Sequence, residues 1–128
     1  MHNPNNLRVL ERAFDLVVSL HRASLRDTAR VASRAPGLCG QLLHAATAIS
    51  SNIVEGAGQS TSVQFARFLL LAIRSATETE QQLELAIALE LFGDYGPRYV
   101  DEVREIRRML HGLRKRVLED GAKARSTT

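Results

Sequence analysis

The chain has 128 residues, 45% of them hydrophobic and 24% charged, with a formal net charge of +3. That length gives one domain with a real hydrophobic core and no need of disulfide or metal staples. The single cysteine, Cys39, excludes an intrachain disulfide and a cysteine-based zinc site, and six Phe and Tyr without any Trp argue against a β-sheet domain that stacks bases on exposed rings.

The first segment is predicted to be helical from about residue 6 to 33. Leu7, Leu10, Phe14, Val17, His21, Leu25 and Ala29 recur at steps of three and four and predict one apolar stripe. Arg22, Arg26, Arg30 and Arg34 recur at steps of four on a flanking face, and Ala35-Pro36-Gly37 breaks the helix. The second segment, about 38–55, places Leu38, Leu42, Ala45, Ile49 and Ile53 on one face. Gly56-Ala57-Gly58 is expected to end it through the left-handed conformation that glycine tolerates.

The third segment opens at Thr61, whose spacing to Gln64 fits a capping box, and runs to about Phe92. Its stretch from Phe65 to Ile73 is apolar nearly all round. In a lone bundle part of it would face water, so Leu70, Leu71 and Ile73 are expected to form an oligomer contact. The fourth segment, about 97–120, starts at Pro97 and carries Val100, Val103, Ile106, Leu110, Leu113 and Val117 as a stripe. Gly121 is expected to end it, leaving 122–128 as a disordered tail. Short connections then predict an all-α, antiparallel up-down-up-down four-helix bundle over residues 1–121. The N-terminus lacks the apolar core of a signal peptide, and the longest apolar run, Phe68 to Ile73, is too short to span a bilayer, so the expectation is a cytoplasmic protein.

Charge is sorted along the chain. Residues 1–37 carry +3, residues 38–96 carry −4 and residues 97–128 carry +4. A basic–acidic–basic order points either to a polyanionic partner or to complementary charge at a subunit contact. The Arg row of the first helix and a second row of Arg104, Arg107 or Arg108, and Arg114 or Lys115 lie on helices that neighbour each other in an up-down bundle. Merged, they would attract RNA or DNA phosphates without reading sequence. The alternative is a solvated face partly neutralised by Glu11, Asp15, Asp27, Asp101 and Glu105.

Catalytic and metal signatures are missing. Val18, Gln41 and Arg108 stand three residues before His21, His44 and His111, so the Glu-x-x-His pairs of di-metal bundles do not occur. No hydrolase elbow, phosphate loop or zinc-protease motif is found, and no cofactor, metal or enzyme activity is expected. Glu78, Glu80 and Glu84 read as a solvated or intersubunit acidic face. Asn52 and Glu55 share a face at the end of the second helix, where they can hydrogen-bond the free amides opening the third; a binding role is the other reading.

The stretch from Leu38 through Gln41, His44, Asn52 and Glu55 to Gly56 resembles the signature of the four-helix-bundle proteins encoded in 23S rRNA intervening sequences, roughly L-x-x-Q-L-x-R-A-x-x-S-I-x-x-N-I-A-E-G. Gly58, Ser60, Phe65, Phe68-Leu69, Ala72, Ser75 and Glu78 also fit, as does Phe14-Asp15-Leu16; the resemblance covers roughly residues 10–115. The chain departs from the pattern with His44 for Arg, Ala48 for Ser, Gln59 for a basic residue and Arg74 for Gly. The same family looks to include the accessory variability protein of diversity-generating retroelements, a homopentamer that binds its reverse transcriptase and RNA through a basic surface. The resemblance therefore implies a pentamer, RNA binding and a reverse transcriptase partner, with Gln41, Asn52, Glu55, Gly56 and Gly58 as its structural motif. A structural or adaptor oligomer without nucleic-acid binding is the alternative, and an enzyme built on the Asn52/Glu55 corner is the third reading.

Overall fold

A computed structural model describes residues 4–27, 29–30, 33 and 35–126, with side chains from residue 8 onward. Among these residues there are four long helices and no strand: α1 (Pro4–Arg26), α2 (Leu38–Ala57), α3 (Ser62–Ala88) and α4 (Tyr95–Ser126). Consecutive helices run antiparallel, and α1 closes the ring by packing on α4 as well as on α2. This is the up-down-up-down bundle that the short connections predict.

The inner stripe of α1 differs from the predicted one. Val9, Ala13, Leu16, Leu20 and Ala23 are buried, whereas Phe14 is 60% and Leu25 76% exposed and His21 lies outside. Both sets repeat at steps of three and four. The core takes the set with two alanines because small side chains let α1 approach its neighbours. The side chain of Leu7 and the residue Arg34 lie outside the described part. The helix itself closes at Arg26, earlier than expected. Asp27 forms a turn whose carboxylate accepts a hydrogen bond from Phe92 N–H at 3.2 Å, tying this end of α1 to the α3–α4 connection.

The other stripes hold. Leu42, Ile49 and Ile53 of α2, Leu69, Ala72, Ala76 and Leu83 of α3, and Val103, Ile106, Leu110 and Leu113 of α4 meet in one core. Ile73 belongs to that core too, so it is not available for a subunit contact; Leu70 is half-buried and Leu71 exposed.

Three glycine expectations are corrected. Gly58 follows α2 at φ −85°, an ordinary right-handed value. Gly56 is inside α2, and a Cβ there would sit 2.8 Å from Phe65 Cδ1 and 2.8 Å from Phe68 Cβ, so close packing of α2 on α3 is what requires it. Gly121 does not stop α4, which continues to Ser126; its missing side chain instead admits Ser62, whose Cβ would lie 2.6 Å from an added methyl.

At the start of α3, Thr61 Oγ1 accepts a hydrogen bond from Gln64 N–H at 3.2 Å, the expected cap. Asn52 has no part in it: its amide donates to the Ala48 carbonyl of its own helix at 2.9 Å, and Glu55 is exposed. Gln41 accepts from Gln82 Nε2 at 3.3 Å and so links α2 to α3. Helix α3 ends at Ala88, short of Phe92, and the chain turns through positive φ at Glu90 (60°), Phe92 (67°) and Gly93 (52°).

Candidate nucleic-acid interface

Helical spacing puts each arginine on a definite flank, and the flank decides its partner. On α4, Arg104, Arg107 and Arg114 turn toward α3. Arg104 reaches Glu80 at 2.7 Å and Glu84 at 3.4 Å, and Arg107 reaches Glu80 at 2.6 Å. Arg114 Nε donates to the Ala66 carbonyl at 3.2 Å. The carboxyl of Glu80 is only 14% exposed. Burial raises its pKa, but the hydrogen bonds and charges of Arg104 and Arg107 outweigh that and hold it below the usual glutamate range. The same pairing raises the pKa of Arg104.

These side chains therefore clamp α3 to α4. They do not merge with the row on α1, as the charge pattern predicts, and the acids they engage are those expected to form a free acidic face. Lys115 is exposed, and Arg30 donates to the Glu90 carbonyl at 3.4 Å.

A different set meets across the α1–α4 seam. Three adjoining depressions run along it, lined by Arg8, Arg12, Arg22 and Arg26 from α1 and Arg98, Arg108 and Arg116 from α4, against Asp15, Glu102 and Glu105. Arg12 bridges the seam with a two-pronged bond to Glu102, 2.7 Å and 3.0 Å. Arg108 pairs with Glu105 one turn back on α4. The hydrogen bonds from Arg108 lower the Glu105 pKa against a smaller opposing effect of burial, with the charges of Arg108 and Arg12 adding to the decrease.

The other five, Arg8, Arg22, Arg26, Arg98 and Arg116, meet no carboxylate among the described residues. Of the predicted binding residues, the structure thus brings Arg22, Arg26 and Arg108 to one surface. Arg8, Arg12, Arg98 and Arg116 join them there without having been singled out from sequence. Their signal was present: Arg8, Arg12, Ser19, Arg22 and Arg26 share one flank of α1, and Arg98, Glu102, Glu105, Gly112 and Arg116 share one flank of α4.

At the end of the seam, the guanidiniums of Arg26 and Arg98 lie over the exposed Tyr95 ring (54%), their carbons 5.9 Å and 5.6 Å from its centroid. Tyr99 stacks behind it at 6.3 Å and 23°, and Phe92 meets Tyr99 edge-on at 6.2 Å. Phe92 is buried, and its backbone is held at positive φ by the bond to Asp27. This corner is therefore built on a fixed base.

Elsewhere, a groove of about 380 Å³ between α1 and α2 is floored by Leu10, Phe14 and Val54. Among the described residues no three His, Cys, Asp or Glu side chains are placed to hold a metal ion, and no helix is long and apolar enough to cross a membrane.

The fold and surface define the class as an all-α antiparallel four-helix bundle with an arginine-lined seam between its first and last helices. Comparison with known families then places the chain. It belongs to the 23S rRNA-intervening sequence protein family, whose family model matches residues 5–112. A crystal structure of a protein of unknown function from the S23 ribosomal protein family of Bacteroides thetaiotaomicron has the same fold. It is 23% identical, with a TM-score of 0.76, over 87% of this chain and 98% of that one. A search of curated proteins finds no match.

Proposed function

We propose that the protein is a non-catalytic homo-oligomer that binds nucleic acid along its α1–α4 seam, chiefly through phosphates. The observation that carries this reading is the row of five guanidiniums that meet no carboxylate among the described residues. A linear polyanion supplies negative charge at the matching repeat, and such contacts do not depend on base sequence. The family's name points to RNA as the first ligand to try, and a reverse transcriptase carrying its RNA is a partner of the kind the resemblance implies. Assembly, pentameric by the same resemblance, is supported by apolar side chains left outside the bundle: Val63, Leu71 and Leu85 along α3, and Phe14 and Val54 beside the α1–α2 groove.

Mobility shifts with a structured RNA at rising salt test the binding. Complexes should form at low salt and dissociate as salt rises, and reversing Arg22 and Arg26 to Glu should abolish them. Binding that ignores salt, or no binding at low salt, refutes the reading. The adaptor alternative draws on the apolar α1–α2 groove, yet Glu80 and Glu84, the acids it would offer to a neighbour, are engaged by Arg104 of the same chain. Light scattering of the purified chain tests assembly, and a monomer would overturn it.

A further inference from the structure

We propose that the Tyr95 corner seats an unpaired base, so that the seam's ligand is single-stranded nucleic acid; this rests on the nucleic-acid reading of the seam. The ring is more than half exposed and faces a depression of about 430 Å³ lined by Ser19, Arg22, Arg26 and Tyr99. That volume lies within the range of about 300–1,000 Å³ typical of small-molecule sites.

An aromatic face between guanidiniums offers two surfaces a base uses: the ring to stack on, and planar cations that stack on bases and reach the flanking phosphates. A duplex has no free base face to give, because its bases are stacked on one another. The ring can therefore add affinity only to a strand with an unpaired nucleotide.

Position supports this. Tyr95 opens α4, where the helix dipole favours a phosphate, and it sits at the end of a row of cations. From Arg8 to Arg26, α1 rises about 27 Å at 1.5 Å per residue. At about 3.4 Å per nucleotide that accommodates about eight phosphates of a stacked strand. A cation–π pairing serving only to fasten Arg26 and Arg98 would not need the open space beside the ring.

The test uses the full chain with a labelled RNA strand of about 12 nucleotides, its DNA counterpart and the corresponding duplexes, followed by fluorescence anisotropy. Tyr95→Ala should weaken both single strands about 5- to 140-fold, the about 1–3 kcal/mol of one stacked base converted at 1.4 kcal/mol per decade. Duplex binding should change by less than about twofold, since the phosphate contacts remain. Tyr95→Phe should keep single-strand binding. The wild type gives an independent readout: the chain has two tyrosines and no tryptophan, so unlabelled oligouridylate should quench its tyrosine fluorescence.

Equal single-strand affinity of Tyr95→Ala and wild type, an equal loss on duplex, or no quenching overturns the inference and leaves the phosphate reading standing. Wild type that binds neither form at low salt overturns both.

Discussion

Replacing Arg8 and Arg116 together by Gln separates the charge proposed to bind from structural charge. Neither guanidinium meets a carboxylate among the described residues, and both side chains are exposed. The fold should therefore keep its stability to within about 0.5 kcal/mol per site. If each of the five uncompensated arginines neutralises one phosphate of a single strand, log affinity against log salt should fall with a slope near −3.5, about −0.7 per contact. The double variant should give a slope near −2.1. At about 0.1 M salt each lost contact removes about 0.7 decade, so the variant should bind about 25-fold more weakly.

Titrations between about 50 and 200 mM salt measure both quantities. The control is Arg104→Gln with Arg107→Gln, whose guanidiniums are held by Glu80. It should lower the melting temperature and leave the slope unchanged. The reasoning fails if the Arg8/Arg116 variant keeps the wild-type slope, or if the control loses slope to the same extent.

Three further outcomes concern the scaffold. Gly56→Ala should destabilise by about 1–3 kcal/mol, because Phe68 Cβ cannot swing away from the new methyl and the gain in helix propensity is at most about 1 kcal/mol. Gly40→Ala, with nothing within 4 Å, should stabilise instead, and a urea midpoint that moves the same way in both would contradict the packing argument. Ile53→Ala should cost about 2–5 kcal/mol in chemical denaturation, since the side chain is fully buried; a loss below about 1 kcal/mol would mean the core collapses around it. Glu80 has a lowered pKa in the folded chain, so its contribution is complete above the ordinary glutamate value of about 4.3 and is lost as pH falls through the lowered one. The stability gap between wild type and Glu80→Gln should be present at neutral pH and shrink in acid; a constant gap would show that charge is not what Glu80 supplies.

Much of this bundle can be read from spacing because its punctuation is local. The start of the second helix after Gly37, the Thr61/Gln64 cap and the α4 stripe all depend on residues within a turn or two of one another. The choice of stripe on α1 is not local. Phe14 and Leu25 outrank Ala13 and Ala23 in hydrophobicity, but only the distance to α2 and α4 shows that alanines fill the inside. The surface proposed to bind is hidden for the same reason. Periodicity sorts Arg104, Arg107, Arg98 and Arg116 onto flanks of one helix, and the neighbour each flank faces decides whether a cation is spent on Glu80 or left free. Gly121 misleads because a helix stop and a close helix contact both call for the same residue.

The uncompensated arginines also have a consequence for the empty protein. Like charges brought together across α1 and α4 repel, and among the described residues only Arg12 bridges that seam to opposite charge, at Glu102 and, at 3.9 Å, Glu105. Added salt screens this repulsion over a Debye length of about 8–10 Å, so it should raise the melting temperature of the free chain while loosening its complexes. A bound strand would be the missing counter-charge of the seam. It would draw the first and last helices together, and loading would tighten the bundle as well as occupy it.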